Sequence, residues 1–159
     1  MIAYDCETHL IRPGLAAPPM VCMSFSDGEA HGLEHAMDLT EEAVRFYLFE
    51  HGGLIVGANL AFDMGVVAAR FPRLVPDIFR AYDEGRCRDV QIDQRLIDIA
   101  HGRLGGYITH EGRRVEFRYS LADLELRILG RDRHAEKGPD AWRYRYHELS
   151  NVPIEEWPE

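Results

Sequence analysis

The chain has 159 residues, 46% of them hydrophobic and 28% charged, and carries a formal net charge of −9. That length supports one domain with a genuine core, and nothing approaches the ~18–20 consecutive apolar residues of a membrane span. The acidic balance argues against a general nucleic-acid binder, but residues 1–60 hold nine acidic and two basic side chains while residues 113–145 hold nine basic and six acidic ones.

The first element is Ile2–Thr8, an apolar run broken by acids at alternate positions. As a strand, its period of two sets Asp5 and Glu7 on one face. Adjacent carboxylates repel, so the pair persists most easily around a cation, and a divalent-metal platform is expected there. A second Asp-x-Glu, Asp123-Leu124-Glu125, falls in a helical pattern, where positions i and i+2 do not face each other.

A loop rich in breakers follows, from Arg12-Pro13-Gly14 to Ala16-Ala17-Pro18-Pro19. Met20–Phe25 reads as a second strand, and Asp27-Gly28 as a hairpin turn into a short third strand near Glu29–Leu33. Thr40 should cap a helix carrying Glu41 and Glu42 in its first turn and Val44, Tyr47 and Leu48 at helical spacing, closed at His51-Gly52-Gly53. Leu54–Ala58 is wholly apolar, the pattern of a strand covered on both faces.

Asn59 is expected to cap a helix that Pro72 stops, with Phe62, Val66 and Ala69 on the face toward the sheet. Asn59 and Asp63, four apart, should both look past the strand end. Leu74–Glu84 reads as helical or irregular, Cys87–Val90 as a brief strand, and Asp93–His101 as a helix with Ile92, Leu96 and Ile99 as apolar positions. Tyr107–Arg118 alternates around Glu111-Gly112 as a β-hairpin with Arg113 and Arg114 at its tip. Ser120 caps an amphipathic helix that Gly130 ends. Residues 131–141 read as a mobile polar loop, and Trp142–Tyr146 with Val152–Glu159 as the approach to a helix. Cys6, Cys22 and Cys87 are odd in number and lack CxxC spacing, so free thiols and a reduced compartment are expected. The eight histidines have no HExxH spacing, and the serines have no nucleophile-elbow context.

This order resembles the DEDD superfamily of 3′–5′ exonucleases, built on the ribonuclease H-like fold. Tyr4-Asp5-Cys6-Glu7-Thr8 matches its first motif, Asn59-Leu60-Ala61-Phe62-Asp63 its second, and Tyr119–Leu124 the helix before the third. Within the superfamily the chain is most similar to the proofreading exonuclease domain of phage-type family A DNA polymerases. The resemblance implies an α/β fold with a mixed sheet of about five strands flanked by helices, the 107–118 hairpin being an addition. It implies two Mg²⁺ or Mn²⁺ ions, Asp5 bridging them, Glu7 holding the one that carries the attacking water, and Asp63 serving the second. Asn59, Phe62 and Thr8 would line the terminal nucleotide, and Leu10 or Ile11 would wedge against the last base. The implied partners are a single-stranded DNA 3′ end and a polymerase domain or subunit, in the cytoplasm of a bacterial or phage-infected cell. The third motif, Tyr-x-x-x-Asp or His-x-x-x-x-Asp, has no match. Tyr144-x-x-x-Glu148 is the nearest imitation. Residues 1–159 are therefore expected to form one exonuclease-like domain, incomplete at its C-terminus. Two alternatives stay open, a catalytically idle module binding a nucleic-acid end or a polymerase, and an RNA exonuclease as in the ribonuclease D branch.

Overall fold

A five-stranded mixed sheet with the order β3-β2-β1-β4-β5 organises the molecule, in a computed structural model that describes residues 1–15, 17–103, 105–134 and 144–158. β1 (Ile2–Thr8) is central, antiparallel to β2 (Met20–Ser26) and parallel to β4 (Ile55–Gly57). β3 (His31–His35) extends the antiparallel side and β5 (Cys87–Asp89) the parallel side. Helices flank this sheet, as the ribonuclease H-like expectation requires.

The β2–β3 hairpin forms where Asp27-Gly28 suggests, but β3 begins two residues later than expected. Asp27 N–H donates to Ala30 O at 3.1 Å, and Asp27 Oδ1 accepts the N–H groups of Glu29 and Ala30 at 2.9 and 2.8 Å. The carboxylate therefore holds Glu29 and Ala30 in the turn, with Gly28 at φ +100° supplying the left-handed step.

Thr40 Oγ1 accepts Ala43 N–H at 3.1 Å and starts α1 (Glu41–Arg45), which continues as a π-helical turn over Phe46–Glu50. Val44 and Leu48 from this helix enter the core. α2 (Leu60–Arg70) follows β4 and buries Leu60, Asp63, Met64, Val66 and Val67. Ala69, expected on that face, is exposed, and Phe62 is half-buried. After a 3-10 turn at Pro72–Leu74, α3 (Val75–Asp83) adds Ile78 and Ala81 to the same core.

Ile2, Tyr4 and Cys6 of β1 pack into that core with Met23 of β2 and Ile55 of β4. The opposite face of the sheet is more open. Ala3, Val56 and Arg88 are in register across β1, β4 and β5, and they are exposed, half-buried and exposed. β4 is thus covered on one face, where its wholly apolar sequence led to the expectation of two.

α4 (Val90–Ala100) starts at Asp89, whose Oδ1 accepts Gln91 N–H at 2.9 Å. Its apolar row Ile92, Leu96 and Ile99 faces outward, and its buried residue is Asp98. Asp98 accepts the Tyr119 hydroxyl at 3.0 Å and pairs with Arg127 at 2.9 Å and Arg103 at 3.3 Å. The Arg127 guanidinium also lies over the rings of Phe117 and Tyr119, 4.3 and 5.1 Å from their centroids. This network ties α4 to the hairpin of β6 (Gly106–Ile108) and β7 (Arg114–Glu116), and to α5 (Leu121–Leu124) with its π-helical extension Glu125–Leu129. Ser120 caps α5 and Gly130 ends it at φ +69°.

The C-terminal stretch forms two 3-10 turns, Tyr146–Leu149 and Ile154–Glu156. Of the loop expected over 131–141, all beyond His134 lies outside the described residues, as do Trp142 and Arg143. Among the described residues no helix is long and apolar enough to cross a membrane. Cys6 and Cys22 are buried free thiols, and Cys87 is free and half-buried.

Candidate functional site

β1 changes partners along its length, and that change creates the site. Its pairing with β4 covers only Ile2 and Ala3, whereas its pairing with β2 runs on to Thr8. The second half of β1 therefore stands at the carboxyl end of a parting between a parallel and an antiparallel neighbour, the place where open α/β sheets form crevices. Between Glu7 and Thr8 the register slips from Cys22 to Met20, a bulge that bends the strand end beside the acids.

Asp63 closes the gap on the β4 side. Cys6 N–H has no strand partner there and donates to Asp63 Oδ1 at 3.0 Å. The carboxyl is 2% exposed, and burial pushes its pKa up to about 7, with Asp5 and then Glu7 adding to the rise and the Cys6 N–H opposing it. Asp5 stands open to solvent on the face of β1 opposite Tyr4 and Cys6, and the protein around it raises its pKa. Glu7, two residues on, is half-buried. Three carboxylates thus share one electrostatic neighbourhood.

The other expected site residues divide. Asn59 occupies the N-cap position of α2, but in the left-handed conformation (φ +65°, ψ +42°) and without a side-chain cap bond. The N–H of Leu60 is taken instead by Asp89 Oδ2 at 2.9 Å, so Asp89 replaces Asn59 as the anchor of that helix end. Asn59 and Asp63 therefore part company, the first exposed and the second buried. A non-glycine residue at positive φ is strained, and such strain gathers at functional sites. Thr8 Oγ1 donates to His9 O at 2.9 Å. Leu10 and Ile11 are 46% and 69% exposed, an apolar tip just beyond the acidic strand. Phe62 is half-buried against the core.

Glu148 is not a fourth carboxylate of this site. It is exposed and clasped by Arg145, whose Nε and guanidinium Nη2 donate to it at 2.9 and 2.7 Å and hold its pKa low. The residue that the sequence reading missed is Tyr146. Burial raises its pKa first, and the nearby Glu7, Cys22 and Asp5 add to the rise, so its hydroxyl lies in the neighbourhood of the acids. No local pattern marks it, because a 3-10 turn has no amphipathic period and the acids near it lie at the other end of the chain.

Carboxylate oxygens suit hard divalent cations, and the raised Asp63 signals negative charge in want of a positive one. The donor chemistry fits such an ion. As arranged, Asp63 Oδ1 is engaged by the Cys6 N–H, and among the described residues no group of three or more His, Cys, Asp or Glu side chains is gathered to hold a metal.

No family model matches the chain, and no curated protein does. Among solved structures it is similar to the crystal structure of the Aedes aegypti Nibbler EXO domain, with a TM-score of 0.58 at 15% identity over 94% of this chain and 71% of that one. At that identity the likeness is one of fold.

Proposed function

We propose that this chain is a divalent-metal-dependent 3′–5′ exonuclease domain that removes nucleotides from a single-stranded DNA end, of the proofreading type that serves a family A polymerase. One observation carries the reading: Asp5, Glu7 and Asp63 meet electrostatically at the parting of β1 from β4, where burial and the neighbouring acids push Asp63 to about 7. The fold likeness to a domain named EXO points the same way.

Two Mg²⁺ or Mn²⁺ ions held by Asp5, Glu7 and Asp63 would supply charge stabilisation for an in-line phosphoryl displacement and a more acidic water. The chain's own residues do the rest. Asp63, fixed by the Cys6 N–H in the first turn of α2, would offer its second oxygen to an ion. Leu10 and Ile11 offer an apolar surface to an unstacked base, and Asn59 and Phe62 stand at the start of α2 for contacts with the terminal nucleotide. Thr8, between the acids and that apolar tip, would meet the last sugar or phosphate.

The lack of a three-ligand group among the described residues favours a second reading, an idle exonuclease-like module that binds a strand end or a polymerase. The test uses 5′-labelled single-stranded DNA and RNA of the same sequence, with Mn²⁺, Mg²⁺ or a chelator. The nuclease reading expects products shortened stepwise from the 3′ end, faster on DNA, and lost with chelator. Faster cleavage of RNA would move the chain to the ribonuclease D-like alternative. Intact substrate, with no heat of Mn²⁺ binding, would leave the idle module.

A further inference from the structure

Arginines and aromatic rings alternate where α4, the β6–β7 hairpin and the approach to α5 come together. The Arg95 guanidinium lies 4.8 Å from the centroid of the Tyr119 ring, and Arg127 lies 5.1 Å from the same ring and 4.3 Å from that of Phe117. Phe117 meets Tyr107 at 5.7 Å, and Tyr107, 48% exposed, ends the row. Stacking of this kind orders long side chains, so their rotamer entropy is lost before any ligand arrives.

The hairpin tip is ordered as well. Thr109 N–H donates to Arg113 O at 2.9 Å, Gly112 N–H to Thr109 O at 2.9 Å and Arg113 N–H to Thr109 Oγ1 at 3.1 Å, which fixes the backbone of Arg113. Residues 101–118 hold four arginines and two glutamates, in a chain whose net charge is −9. Asp98 answers Arg103 and Arg127, and Glu116 answers Arg114, but among the described residues no carboxylate pairs with Arg95 or Arg113.

We propose that this row is a binding surface for single-stranded nucleic acid, outside the acidic site, with Arg95 and Arg113 meeting phosphates and Tyr107 stacking a base. The assignment rests on the reading of a nucleic-acid strand as substrate and is independent of the metal. A single strand offers both chemistries that the row matches, phosphates for guanidinium donors and open base faces for an aromatic ring. A duplex offers only the first, because its bases are already stacked. α4 begins at Asp89, whose Oδ2 accepts Leu60 N–H, so this helix connects the row to the start of the helix that carries Asp63. At 1.5 Å per residue, Arg95 lies ~9 Å along α4 from that junction.

Fluorescence anisotropy of labelled oligothymidylate and oligouridylate, titrated in parallel with the whole chain in chelator, tests the surface, and the tighter of the two names the strand. Tyr107→Leu keeps an apolar cover on Phe117 and is expected to weaken binding ~5–150-fold, the range for one lost base stack. Arg95→Gln and Arg113→Gln are each expected to weaken binding and to reduce the slope of log affinity against log salt by ~0.7. Arg113 stands on an exposed tip, so a loss there does not report on folding. Arg73→Gln, an exposed control on the 3-10 turn between α2 and α3, is expected to change neither quantity. Absence of wild-type binding, wild-type affinity in both arginine variants, equal losses in Arg73→Gln, or a duplex bound as tightly as the single strand overturns the assignment. Chelator separates this result from the nuclease reading: stepwise cleavage with Mn²⁺ beside unaltered binding by the variants removes the surface alone, and weakened binding by the variants beside intact substrate removes the nuclease alone.

Discussion

Asp63 accepts the backbone N–H of Cys6 at 3.0 Å, from the first turn of α2 to the middle of β1. A single carboxyl thereby does two jobs. It satisfies a strand N–H that β4 has left behind, and it joins Asp5 and Glu7 at the open end of the sheet.

That double role makes stability depend on pH. Asp63 stands at about 7 in the fold against an ordinary 3.8, so the folded state binds its proton more tightly than the unfolded one. Its contribution is fully present below about pH 4 and is lost as pH rises through 7, a change on the order of 4 kcal/mol. Asp63→Asn keeps an acceptor for Cys6 N–H and removes the ionisation. Urea unfolding of the metal-free protein at pH 5 and pH 8 should show the wild type losing stability relative to the variant at the higher pH. Equal pH dependence in both would refute the raised pKa of Asp63.

Mn²⁺ should reverse that loss. A cation that binds the folded state and compensates Asp63 raises stability by mass action, by about 2.7 kcal/mol at a hundredfold excess over its dissociation constant. The gain is expected for wild type at pH 8 and absent in Asp63→Asn and Asp5→Ala. Nuclease activity, where detected, should fall more than ~100-fold in Asp5→Ala, beyond what outer partners of a metal cost. With three acids, and Asp63 already holding the Cys6 N–H, residues 1–159 should hydrolyse DNA weakly even as wild type. Full activity in Asp5→Ala would remove the site assignment.

How much of this was legible in advance follows from how far each interaction reaches. The alternation of Ile2, Tyr4 and Cys6 with Asp5 and Glu7 is a property of seven consecutive residues, and the strand keeps it. Thr40 and Ser120 cap their helices through N–H groups three residues on, so their roles were local too. Asn59 has the right residue type for a cap, but Asp89, 29 residues from Leu60, takes the N–H and releases Asn59 into a left-handed turn. The period of Ile92, Leu96 and Ile99 revealed a helix and said nothing of what covers it. Asp98 is inward on that helix because Tyr119 and Arg127 arrive from later in the chain.

The Asp98 network should be the mechanical weak point of the second half of the chain. Burial would raise the Asp98 pKa, and the Tyr119 hydroxyl, Arg127 and Gln94 outweigh it and hold the carboxyl below its usual range. Asp98→Ala strands the largely buried Arg127 beside two aromatic rings, a loss of about 3 kcal/mol. At ~2–4 °C per kcal/mol for a domain of this size, the melting temperature should drop by ~6–12 °C. Mn²⁺ affinity should stay at the wild-type value, because the network touches none of the three acids. A drop within ~2 °C would mean that solvent reaches Arg127 and relieves it.

Tyr4 offers the opposite outcome. Its ring is 4% exposed in the core, between Ile2 and Cys6 on the inner face of β1, and its buried hydroxyl has no hydrogen-bond partner among the described residues. Burial pushes its pKa far up, with Cys6 and Asp63 adding to the rise, so the phenol remains neutral and its dipole uncompensated. An unsatisfied buried hydroxyl costs about 1–3 kcal/mol. Tyr4→Phe removes it and leaves the ring packing in place, so stability should rise by about 1 kcal/mol and the melting temperature by ~2–4 °C. If thermal unfolding shows Tyr4→Phe less stable than wild type, the hydroxyl has a partner in solution. The acid nearest to it in charge coupling after Cys6 is Asp63, and a simultaneous change in the pH dependence of unfolding would identify Asp63 as that partner.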